Sequence, residues 1–153
     1  MSGRLRSLMV AHGALVFLVG MLAGFGFTLV LVPELSTQPA PIPGDVRGWR
    51  MAHLEGILNG LTLIGVAAVA DRIRLGTRGQ QVVAWGLILT AWGNMIASLI
   101  GPLFGGRGLT FGGGVANSIM YVLFLAAVVT VLVAMWLVVV GAFRAASYGR
   151  EEV

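Results

Sequence analysis

Residues 117–143 read NSIMYVLFLAAVVTVLVAMWLVVVGAF, 27 positions in a row without an aspartate, glutamate, lysine or arginine. As an α-helix rising about 1.5 Å per residue, this segment is about 40 Å long. The hydrocarbon core of a bilayer is only roughly 30 Å thick. The stretch therefore predicts a transmembrane span, and three runs of the same kind precede it, at 8–32, 51–70 and 80–103. The expected fold is all-α, a bundle of four transmembrane helices forming a single membrane domain over 1–153. Composition agrees: 58% of the chain is hydrophobic and 10% charged, with mean hydropathy +0.93, whereas soluble domains carry about a quarter charged residues.

The first run continues straight into a loop and lacks a small-residue cleavage site, so it reads as a retained span and not a signal peptide. The chain has no cysteine, which excludes disulfides, thiolate nucleophiles, cysteine-ligated zinc and iron–sulfur clusters. All ten basic residues are arginine. Arg4, Arg6, Arg72, Arg74, Arg78, Arg144 and Arg150 fall in the N-terminus, the second loop and the C-terminus, and Arg47, Arg50 and Arg107 in the other two loops. Positive-inside bias then predicts that both termini and the second loop are cytoplasmic. The net charge of +4 serves topology and lipid phosphate, and nucleic acid is not an expected partner.

The two loops on the other side are rich in turn formers. Pro33 to Arg50 carries Pro33, Pro39, Pro41 and Pro43 before Gly44 and Asp45, while Phe104 to Val115 is glycine-rich around Arg107, Thr110 and Phe111. The second of these reads as a tight lid. No internal repeat is visible.

Polar groups within the spans are the informative ones, because each is costly in lipid without a partner or a use. They are His12; His53, Glu55, Asn59 and Thr62; Thr90, Asn94 and Ser98; and Asn117, Ser118, Tyr121 and Thr130. Counting along the helices places His53 roughly 6 Å, Ser98 roughly 8 Å, Asn94 roughly 14 Å and Asn59 roughly 15 Å below the outer boundary. The groups of spans two and three are level, and describe one cavity in the outer half of the membrane. His12 lies roughly 20 Å from His53 in depth, so the two cannot share a ligand, and His12 reads as a structural hydrogen-bonding group.

At 100° per residue, His53, Gly56 and Gly60 share one face of the second span and Glu55, Asn59 and Thr62 another. Gly56 and Gly60 form a G-x-x-x-G pair. This is either a close helix contact or a floor without side chains beneath a flat group held by His53. Glu55 is open to two readings, an ion pair with Arg50 or Arg107 and an intramembrane functional carboxyl.

The stretch Arg47-Gly48-Trp49-Arg50-Met51-Ala52-His53-Leu54-Glu55-Gly56-Ile57-Leu58-Asn59-Gly60, then Ala91-Trp92-Gly93-Asn94, then Arg107-Gly108-Leu109-Thr110-Phe111-Gly112, with Ala11-His12-Gly13 upstream, resembles the family of styrene oxide isomerase and hydroxylaminobenzene mutase. The resemblance implies a homotrimer in the inner (cytoplasmic) membrane of a bacterium, each protomer holding ferric haem b through His53. It places Asn59 opposite the open iron position and puts Gly56, Gly60 and Arg107 with His53 in the cofactor-binding set. Asn59, Asn94, Ser98 and Tyr121 are its catalytic candidates, with Asn59 and Asn94 as donors to the substrate oxygen. The implied chemistry is intramolecular rearrangement of a small aromatic substrate, with ferric iron as Lewis acid and no net redox.

The chain departs from the epoxide isomerases where their third-span aspartate and tyrosine fall on Thr90 and Ser98. The wording His-Leu-Glu-Gly-Ile-Leu-Asn-Gly in the second span resembles the mutase branch and Arg-Gly-Leu-Thr-Phe-Gly in the third loop the isomerase branch; an aryl hydroxylamine is the expected substrate, with an aryl epoxide as the alternative. Trp92 and Phe111 read as packing residues or an aromatic wall. A proton-coupled transporter acting through Glu55 and an accessory membrane subunit are the readings from other classes, and neither predicts a haem.

Overall fold

The computed structural model describes residues 1–36 and 38–148. It contains four long helices: α1 (Gly3–Ser36), α2 (Val46–Ala68), α3 (Thr77–Phe104) and α4 (Val115–Tyr148), with a 3-10 turn at Ala70–Arg72 between α2 and α3. Each is long and apolar enough to cross a membrane. Thus α1 and α4, of 34 residues each, extend about 51 Å and project past any hydrocarbon core.

The helices outrun the apolar runs. α1 continues through Pro33 to Ser36, where the sequence suggests a loop, because a proline near a helix end removes only one late N–H bond. α2 begins at Val46 because Asp45 caps it, Gly48 N donating to Asp45 Oδ1 at 2.6 Å. Trp49 Nε1 donates to Pro43 O at 2.8 Å and ties the proline-rich loop to the first turn of α2.

The bundle is built from two hairpins, α1 against α2 and α3 against α4, joined mainly where α2 meets α3. α3 is the most enclosed helix and α4 the least, so the apolar surface of α4 (Leu125, Val129, Leu132 and Trp136) stays exposed. Arg6 reaches both carboxylate oxygens of Asp71 at 2.9 Å, and Arg74 N donates to Gly141 O at 3.0 Å. The start of α1, the α2–α3 turn and the end of α4 therefore share one side of the bundle, as four spans require. Arg150, part of the charge argument, lies outside the described residues.

The α1–α2 interface is made by backbone. A Cβ on Gly56 would stand 2.3 Å from Gly20 Cα, and one on Gly60 2.7 Å from Gly13 O. The G-x-x-x-G pair is a helix contact: α1 covers both glycines and leaves no floor on them for a flat cofactor. Small residues allow such approach, and dispersion and shape fit replace the hydrophobic effect as the source of association in lipid.

Gly56→Leu is expected to destabilise the bundle by about 1–3 kcal/mol or more through overpacking, read as a lowered unfolding midpoint in mixed detergent. Gly65→Ala, where a Cβ meets nothing within 4 Å, should leave the midpoint unchanged or slightly raised. Equal behaviour of the two variants would remove the glycine contact from its place in the fold.

Candidate functional site

His53 belongs to the α1-facing side of α2. Its Nδ1 lies 2.9 Å from Gly20 O, and since a carbonyl only accepts, Nδ1 carries the proton and the Nε2 lone pair is left free. A Cβ on Gly24 would stand 2.7 Å from Nδ1 and 2.9 Å from Cε1, so Gly24 makes the cradle in which the ring lies. A histidine oriented by a backbone carbonyl through one nitrogen, with the other free and the ring half-buried, has the geometry of a metal ligand with its outer support in place. Among the described residues no group of three or more His, Asp or Glu could hold an ion. A single histidine fits a metal whose in-plane bonds are supplied by a macrocycle.

The other face of α2 meets α3. Asn59 Nδ2 donates to the Glu55 backbone oxygen at 2.9 Å and to Glu55 Oε2 at 2.7 Å, and Asn94 Nδ2 donates to Asn59 Oδ1 at 3.4 Å. The depth-matched polar groups of the two spans do meet. Both N–H groups of Asn59 are directed at Glu55, while Asn94 keeps one N–H with no partner among the described residues. Glu55 is paired with Asn59 and not with Arg50 or Arg107.

One turn nearer the outer loops, a cavity of about 600 Å³ opens between α2, α3, α4 and the two loops. Its walls include Met51, Pro102, Met120 and Phe124, with Ser98 at its base and Arg107 at its rim. Ser98 is 4% exposed, and its Oγ has no hydrogen-bond partner among the described residues. Met51 is one turn from Glu55 and Ser98 one turn from Asn94, so the cavity and the polar chain lie on common helix faces.

The roof is the glycine-rich loop, and Asn117 builds it. Its Oδ1 accepts from Arg107 N and Gly108 N, both at 2.9 Å, and its Nδ2 donates to Thr110 O at 2.8 Å and Gly112 O at 2.7 Å. Gly108 sits at φ +64° directly over Met120 and Phe124, a conformation and a clearance that only glycine satisfies without strain.

The remaining candidates are used elsewhere. Thr90 is buried against α4, within 2.9 Å of Thr130 Oγ1 and 3.2 Å of Ala127 O, so it joins helices and does not face the cavity. Tyr121 stacks edge-on with Phe111 at 6.1 Å, beside the loop and outside the cavity lining. Trp92 Nε1 donates to His12 Nδ1 at 3.1 Å, which makes His12 a link between α1 and α3. The level of His53 on α1, at Gly20 and Gly24, is 8 to 12 residues from His12, or about 12–18 Å. That is less than the counted depth but still too far for a shared ligand. The sequence marks Asn117 only as one more polar group of the fourth span and Gly20 and Gly24 not at all; the signals were an asparagine just after the glycine run and glycines spaced by four in α1.

Comparison with known proteins gives two kinds of match. The family described as styrene oxide isomerase matches residues 5–143. A styrene-oxide isomerase from Pseudomonas fluorescens is 31% identical over 109 residues, covering 68% of this chain and 64% of that protein. The hydroxylaminobenzene mutase HabB of Ectopseudomonas oleovorans is 25% identical over 96 residues, covering 63% of this chain and 51% of that one. The chain thus spans between half and two thirds of the length of these relatives.

Asn117→Ala removes four hydrogen bonds from the loop, each contributing about 1 kcal/mol. Amide exchange at Arg107 and Gly108 should accelerate more than about tenfold, while exchange in α3 stays at its original rate. Unchanged loop exchange would show that the roof is held by something other than Asn117.

Proposed function

The chain belongs to the styrene oxide isomerase family, and on that premise we propose that it is a haem-dependent intramolecular isomerase of small aryl oxygen compounds, with an aryl hydroxylamine as first substrate. Homologues named isomerase and mutase support the reaction type. The haem b rests on the family resemblance and on His53, which would hold the iron through Nε2 while Gly20 O and Gly24 orient its ring. Bound ferric iron would supply a Lewis acid for the substrate oxygen.

The observation that carries the substrate choice is the hydrogen-bonding capacity left open on α3. Asn94 Oδ1 and Ser98 Oγ have no donor directed at them among the described residues. Thr90, where the epoxide isomerases hold a carboxylate, is turned to α4 and satisfied. An aryl hydroxylamine brings its own N–H and O–H donors to these acceptors; an epoxide has none to give. In the rearrangement the N–O bond breaks, a C–O bond forms on the ring and the displaced ring proton is recovered by the amine or hydroxyl, so electrons balance without an external reductant. The apolar part of the lining, Met51, Pro102, Met120 and Phe124, suits an aryl ring and limits the water around it.

An aryl epoxide is the second reading. It is favoured by the higher identity to the styrene-oxide isomerase, 31% against 25%. Transport through Glu55 has no comparable support, because the carboxyl is engaged by a neighbour on its own helix.

Assembly as a homotrimer in the inner membrane of a bacterium, with both termini cytoplasmic, belongs to the same proposal. Its support is the arginine distribution and the half-exposed polar side chains of His53, Glu55 and Asn59 at membrane depth, which a haem and neighbouring protomers would cover.

Purified protein should show a Soret band and about one haem b per chain by pyridine haemochrome. His53→Ala should lose it, and full haem in that variant would sink the ligand assignment. Asn94→Ala should keep haem while kcat for phenylhydroxylamine falls by roughly 100–1,000-fold, the range expected on losing one positioned donor. Faster turnover of styrene oxide than of phenylhydroxylamine would transfer the assignment to the second reading.

A further inference from the structure

The amide of Asn59 is locked in one direction. A main-chain carbonyl accepts and never donates, so the 2.9 Å contact with Glu55 O identifies the atom facing it as Nδ2. The second N–H of the same amide goes to Glu55 Oε2 at 2.7 Å. With both donors drawn back along α2, Oδ1 is presented across the helix interface, where it accepts from Asn94 Nδ2 at 3.4 Å. That bond in turn orients the Asn94 amide and leaves one N–H and Oδ1 of Asn94 for another molecule. An asparagine without the Glu55 side chain keeps only the backbone contact on its own helix, and its amide can rotate about χ2, a broad torsion.

We propose that Glu55 is a positioning residue: it holds the Asn59 amide with its oxygen toward α3 and so fixes the Asn94 amide that receives the substrate's nitrogen and oxygen. It does this as a hydrogen-bond acceptor, and no proton is transferred through it. The role rests on the isomerase reading of the site and names a part of that site which the sequence left as an ion pair or a transport carboxyl. A glutamine can accept from Asn59 Nδ2 through Oε1 in the same place; an alanine cannot. This separates positioning from any role that needs the acid itself.

The test uses the haem-loaded protein in detergent as wild type, E55Q and E55A, with kcat expressed per haem. E55A should lose at least tenfold in kcat for phenylhydroxylamine with KM changed less than threefold, and E55Q should recover most of that loss. A readout independent of turnover comes from nitrogen-15 labelling of asparagine, of which the chain has three, Asn59, Asn94 and Asn117. The Asn59 side-chain pair, assigned by its disappearance in N59D, should keep its separated proton shifts in E55Q and collapse toward solvent-like values in E55A. The Asn117 pair should stay fixed in both variants and so reports an intact fold. Wild-type kcat in E55A, E55Q as slow as E55A, or an Asn59 pair unmoved in E55A would each overturn the proposal. A wild-type protein without haem or turnover would instead overturn the isomerase reading, while the asparagine resonances would still decide whether Glu55 holds the amide.

Discussion

The close passage of α1 and α2 at Gly20 and Gly56 is the contact on which the remaining geometry depends. Helices in lipid gain little from hiding apolar surface from one another, so their rotation is decided by where backbones approach. With Gly56 and Gly60 against α1, the 100° step per residue also turns His53 toward α1, one turn nearer the outer loops. There it finds Gly20 O for Nδ1 and the clearance at Gly24 for its ring. The same rotation directs Glu55 and Asn59 toward α3. One interface thus orients the candidate iron ligand and the Glu55–Asn59 pair on two faces of a single helix.

That arrangement gives meaning to the polar groups left over. A polar atom in a membrane bundle needs a partner, and most have one: Thr90 with Thr130, His12 with Trp92, Asn59 with Glu55, and Asn117 with four groups of the loop. Capacity remains at His53 Nε2, at one side of Asn94 and at Ser98 Oγ. They lie in the outer half of the bundle on two sides of α2, His53 beside α1 and Asn94 and Ser98 on α3. Structural needs alone would have satisfied or removed them, which is the physical argument for a ligand there.

The four helices were legible because unbroken apolar runs longer than a bilayer have one stable solution, and the meeting of Asn59 with Asn94 was legible because depth is counted along the chain. Rotation was harder. α4 is apolar on every side, so nothing in its sequence says that Thr130 faces α3, and the inward turn of Thr90 could not be read from one strand of text. The double use of Asn59 by Glu55 was also hidden: an i, i+4 pair predicts proximity but not which end of an amide is consumed. The glycine-rich loop announced a tight lid, whereas its clamp, Asn117, looked like one more polar residue in a span.

The clamp has a consequence for how the outer cavity works. Asn117, Met120 and Phe124 are spaced i, i+3 and i+7, so they share one face of α4. The first holds the loop by four hydrogen bonds, and the other two are walls of the cavity beneath it. Gly108 rests on both of them. Roof and wall are therefore one piece on the first three turns of α4, and the loop cannot lift without losing its seat on Met120 and Phe124. The cavity beneath is thus shielded on the side of the loop and α4, while it remains partly open elsewhere. A substrate of the proposed reaction would enter by the open side, with roof and wall left in place.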